Sequence, residues 1–164
     1  MAARLMLVTL AFALSACSPT PPAAPTQAQV QDFVKQYVAA FNEGDDSKLM
    51  ALIQHDAAVS SVASGRLYRG WDAIRMSSGE SLTAVARITV ALGAVDVMPL
   101  GPDSALAVGA MTVTAEGFPP DGGSKLTSTE YPGALTMIVK RTPEGLRLLH
   151  EHHSVRVAGP AKGA

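Results

Sequence analysis

The stretch Gly145–Ser154, GLRLLHEHHS, decides how this chain is read. It follows Thr142-Pro143-Glu144-Gly145, a hairpin turn signal, and reads as the last strand, running over Leu146–Val157. Side chains on a strand alternate between two faces. Strict alternation puts Leu146, Leu148, His150, His152, Ser154 and Arg156 on one face. Arg147, Leu149, Glu151, His153 and Val155 take the other.

Upstream lie the strands that this one would pair with. Lys125–Arg141 is a long strand interrupted by Pro132-Gly133, and Ser104–Glu116 is another. Gly117–Ser124 (GFPPDGGS) is a loop between them. Ile88, Val90 and Leu92 alternate, and Val95 and Val97 continue on the opposite parity. The switch at Gly93-Ala94 predicts a β-bulge, which bends a strand. Further back the signals are helical. Thr26 and Gln29 have capping-box spacing. Val30, Phe33, Val34, Tyr37, Val38 and Phe41 form one apolar stripe, and Gly44 stands where a left-handed C-terminal residue belongs. Asp45 or Asp46 starts a short helix through Ile53, Ala57–Ser64 reads as a strand, and Trp71–Leu82 as a third helix. Helices first and long antiparallel strands after them give an α+β domain, the bent sheet covering the helices with its concave face.

Two segments carry a resemblance. Tyr68-Arg69-Gly70-Trp71-Asp72-Ala73-Ile74-Arg75 and the closing Gly145–Ser154 stretch, with this order of elements, resemble the SnoaL-like branch of the nuclear transport factor 2-like (NTF2-like) superfamily. The resemblance covers residues 26–157. The family usually has Trp and Ile where this chain has Leu146 and Leu148. It implies a cone: a curved antiparallel sheet around three N-terminal helices, with a pocket inside. It also implies a homodimer packed through the sheets' outer faces. It supplies no reaction, because the superfamily holds isomerases, cyclases, dehydratases and members that only bind.

The family motif and the apolar pair Leu146/Leu148 place His150 and His152 inside the cone. Neutral imidazoles titrate near pH 6.5, so either could act as a general base; the plainer alternative is hydrogen bonding to core groups and nothing more. Tyr37, on the apolar stripe, is the expected hydroxyl donor beside them. Val34, Val38 and Phe41 are expected to line the pocket, with Trp71 and Tyr131. Glu130 is the remaining candidate for an inward acid, and Phe118 for a lid at the mouth. His150-x-His152 has metal-ligand spacing, but nothing in the sequence places a third ligand, so no metal or other cofactor is expected.

The N-terminus sets address. Residues 1–16 place an apolar run after Arg4 and end in Leu14-Ser15-Ala16 before Cys17, the sole cysteine. The run is too short to span a bilayer and reads as a signal peptide. The pattern resembles a bacterial lipobox. It implies lipid on Cys17 and a membrane-anchored, periplasm-facing protein of the cell envelope, with Ser18 favouring the outer membrane. Residues 17–25, with four prolines in Ser18–Pro25, form an extended tether of roughly 3 Å per residue. Residues 158–164 form a disordered tail. A formal net charge of −1 with no basic cluster gives no argument for nucleic acid. Two functions follow: binding of a small, mostly apolar molecule without turnover, or an isomerase, cyclase or dehydratase using His150, His152 and Tyr37. A purely structural dimer is the third class.

Overall fold

A computed structural model describes residues 23–63, 65–83, 87–117 and 125–156, with the backbone alone for 79–83. Cys17, Phe118, residues 1–16 and residues 158–164 lie outside the described residues. The elements run α1 (Gln27–Glu43), α2 (Asp46–Ala51), β1 (Ser60–Ala63), β2 (Arg66–Arg69), α3 (Trp71–Thr83), β3 (Arg87–Pro99), β4 (Ser104–Gly117), β5 (Thr127–Thr142) and β6 (Gly145–Val155).

Helix α1 starts and stops for local reasons. The Thr26 hydroxyl accepts from Gln29 N, the Gln29 side chain accepts from Thr26 N, and Gly44 ends the helix at φ 67°. The stripe between these caps buries Val30, Phe33, Val34, Tyr37 and Ala40. Each large side chain contributes on the order of 2 kcal/mol through burial. The helix is also stitched to the sheet. Asn42 donates to Val90 O at 2.9 Å and accepts from Val90 N at 2.7 Å, so its amide copies a neighbouring strand. Gln31 Nε2 donates to Val95 O at 2.9 Å.

Six strands form one sheet in the order β2-β1-β6-β5-β4-β3. All neighbours are antiparallel except β1 and β6, which run parallel. The arrangement is α+β, as expected. Pro132 does not break β5, because its carbonyl accepts from Arg156 N at the very end of β6. The proline nitrogen faces the same way, past the last ladder position, where no donor is required.

Two register shifts bend the sheet. The first, between Leu92 and Val95, is the bulge expected at Gly93-Ala94. The second was not expected. Val139 pairs with Leu148 while the adjacent Ile138 pairs with His150, so Leu149 is an extra residue without a partner. An extra residue reverses which face every later side chain takes.

The start of the domain also differs from expectation. Arg141 Nε donates to Ala23 O at 2.9 Å, and its terminal nitrogen to Gln29 Oε1 at 2.7 Å. Pro25 is buried. The Pro-rich segment is therefore held to the domain from Ala23 onward rather than free through Pro25.

Candidate functional site

The Leu149 bulge determines what faces the interior. Leu148 is fully buried before it, and Glu151 is buried after it. His153 and Val155 follow Glu151 on the inner face. His150 and His152 turn outward, which corrects their expected place in the cone. His150 Nδ1 lies 2.9 Å from Ser60 Oγ, and His152 is exposed. Among the described residues no three potential ligands gather to hold a metal ion.

Behind the inner face is a cavity of about 210 Å³. Val38, Phe41, Val90, Met111, Leu135 and Met137 make most of its wall apolar. Its polar side is built on Glu151, which reaches it because β6 pairs with β1 at Ser61 and faces α1 at Tyr37. Ser61 Oγ donates to Glu151 Oε1 at 2.7 Å, and Tyr37 Oη donates to Glu151 Oε2 at 2.8 Å. Both carboxylate oxygens are thus held by hydroxyls, with Glu151 only 6% exposed. The arrangement acts back on the tyrosine. Burial first, then the Glu151 charge and the hydrogen bond to it, raise the Tyr37 pKa well above that of an ordinary tyrosine. His153 lines the same cavity two residues along the strand, about 7 Å from Glu151 by strand geometry. Among the described residues, Glu151 is the only carboxylate in the lining, which includes no Lys or Arg.

The expected site residues divide clearly. Tyr37, Val38 and Phe41 line the cavity. Val34 is buried in the core but does not reach it. Glu130 is exposed and shares the outward parity of β5, so it is not an inward acid. Tyr131 has inward parity and is half-buried, yet lies outside the cavity wall. Trp71 sits elsewhere, in a wider and shallower hollow between α2, α3 and the β5–β6 turn. There it packs against His55 at 4.5 Å, carries the Arg75 guanidinium at 5.6 Å, and donates from Nε1 to Met50 O. The charges of that second hollow balance, Asp46 and Glu144 against Arg75 and Arg147. Sequence reasoning missed Glu151, His153, Ser61 and Tyr68 as lining residues. The doublet Leu148-Leu149 was the available signal, since two adjacent apolar residues interrupt an alternating strand.

Known proteins agree with this architecture. A protein from Streptomyces avermitilis, described as a proposed dehydratase of the NTF2-like family, is 26% identical, with a TM-score of 0.69 over 80% of this chain and 96% of its own. An NTF2-like superfamily protein from Salmonella enterica is 19% identical, with a TM-score of 0.67 over 84% and 96%. A proposed scytalone dehydratase from Novosphingobium aromaticivorans is 11% identical, with a TM-score of 0.65 over 84% and 93%. No curated protein matches the chain. The SnoaL-like domain family matches residues 30–158, most of the chain. With the cone, its interior cavity and this match together, the chain belongs to the SnoaL-like domain family of the NTF2-like superfamily.

Proposed function

We propose that this domain binds a small, mostly apolar molecule in its cone, positioned by the Glu151 carboxylate. The observation that carries the reading is a buried carboxylate, fixed by Tyr37 and Ser61, at the wall of an otherwise apolar cavity. Burying a charged group is costly unless it is bonded. The two hydroxyls hold Glu151 and leave lone pairs for a donor on a guest. The test is mass spectrometry of whatever co-purifies with the protein, repeated on Leu135→Trp, which fills the cavity. A compound present in the wild type and lost from the variant supports the reading; identical profiles remove it.

A second reading is favoured by one further observation: Glu151 and His153 face the same cavity. A carboxylate and an imidazole side by side on one cavity wall can move a proton between two atoms of a bound molecule. An isomerase, cyclase or dehydratase would then use Glu151 and His153, with Tyr37 holding the carboxylate, in place of His150 and His152. The name of the Streptomyces avermitilis protein supports a dehydratase among these. Under this reading Glu151→Gln and His153→Ala each lower turnover by about 100-fold or more while ligand affinity changes far less.

The proposed setting is the bacterial envelope. Residues 1–16 and Cys17 support a lipid anchor facing the periplasm, with the outer membrane favoured by Ser18. No helix among the described residues is long and apolar enough to cross a membrane. A homodimer is proposed through the outer sheet face, where Leu106, Val108 and Ile138 are half-buried and Ala110 and Ala134 exposed. Ile138→Glu should leave a monomer by light scattering if that face is the contact.

A further inference from the structure

We infer that the molecule taken by the cone is a single-ring organic cation, its ammonium set against Glu151. This rests on the ligand-binding reading above and narrows it by size and by charge.

Size comes first. An engineered apolar cavity of about 150 Å³ holds one benzene. The cone cavity, about 210 Å³, has room for one ring and a short side arm. A fused multi-ring guest would not fit within it.

Charge decides the head group. Glu151 meets only neutral donors, the hydroxyls of Tyr37 and Ser61. None of the salt bridges among the described residues includes it. Hydroxyls fix its geometry but bring no opposite charge, and a buried charge in an apolar setting is unfavourable until one arrives. A guest ammonium brings that charge and spare donors together. The wall suits the same guest, because Tyr37, Phe41 and Tyr68 are among its lining residues and aromatic rings attract cations. An anionic guest would meet the Glu151 charge with no Lys or Arg among the described lining residues to offset it, His153 being the one basic side chain there.

The experiment titrates the full chain with benzylamine, benzyl alcohol and benzoate, which share a ring and differ in head group. Benzylamine should bind about tenfold or more tighter than benzyl alcohol, and benzoate should bind weakest. Glu151→Gln should bring benzylamine down to the level of benzyl alcohol. Leu135→Trp should abolish benzylamine binding, a check that holds even if Glu151→Gln fails to fold. Equal or tighter binding of the alcohol overturns the cation inference and leaves the ligand-binding reading standing. So does a benzylamine preference that survives in Glu151→Gln or Leu135→Trp. Failure of all three compounds, with no co-purified ligand, overturns both.

Discussion

The Tyr37 hydroxyl donates to Glu151 Oε2 at 2.8 Å, joining the first helix to the last strand across 114 residues of sequence. The bond is buried at both ends, and Ser61 completes it from a third element. Tyr37→Phe removes one of two donors from a buried carboxylate. The expected loss is about 1–3 kcal/mol of stability, read by urea unfolding. Ser61→Ala should cost a similar amount. The double variant should depart from the sum of the two, because both act on one carboxylate. Strict additivity would mean that the pair does not share Glu151.

The same tyrosine predicts an alkaline limb. Its folded pKa is raised, so the native state keeps a proton that the unfolded chain releases near pH 10. The stability this supplies is complete below about pH 10 and is lost as pH rises from there through the folded value. Tyr37→Phe should be less stable at neutral pH and show a shallower decline above about pH 10. Denaturant midpoints across that range measure both slopes; parallel slopes would contradict the raised pKa.

Asn42 fastens α1 to the outermost strand of the sheet through the backbone of Val90. Asn42→Ala leaves one N–H and one C=O of β3 without their partner. It should cost about 1–3 kcal/mol. Hydrogen exchange gives the specific check: the Val90 amide should lose protection more than the amides of β5.

Gly133 is required by space. A Cβ there would overlap the Ser154 carbonyl oxygen, a backbone atom that cannot swing away. Gly133→Ala should therefore destabilise by about 1–3 kcal/mol, as overpacking does. Gly117→Ala is the control, since nothing among the described residues lies within 4 Å of its added carbon. The control should change stability by less than about 0.5 kcal/mol in thermal melts.

Cys17→Ser tests the address. In the native host the wild-type chain should fractionate with membranes and the variant with soluble periplasmic protein. Continued membrane association of the variant would end the lipid-anchor proposal.

Much of the fold was legible because local chemistry and burial agree. The α1 stripe, its capping box and Gly44 each specify the same helix. The Gly93-Ala94 bulge could be read because apolar residues flank it on opposite parities, so the switch is visible in the pattern. The Leu149 bulge was hidden by composition. After Leu148-Leu149 come His150, Glu151, His152, His153 and Ser154, five polar residues in a row, and Val155 is the first apolar side chain to mark a face. Alternation has nothing to register against across such a run. The strand and the inward Leu146 and Leu148 are therefore legible, while the face beyond Leu149 is reversed. Tyr37 was recognised because a helix stripe fixes orientation without reference to a partner. Glu151 and His153 needed the pairing with β5, which only the tertiary structure supplies.

The Arg141 clamp sets a polarity on the whole domain. It grips Ala23 and Gln29 at the start of α1, whereas the cavity is lined by Tyr37, Val38 and Phe41 further along. Twelve residues separate Gln29 from Phe41, about 18 Å of helix. If Cys17 carries the proposed lipid, tension from it would be delivered to the pole remote from the cavity and absorbed by a guanidinium fork. The guest chamber would then be insulated from any pull on the anchor.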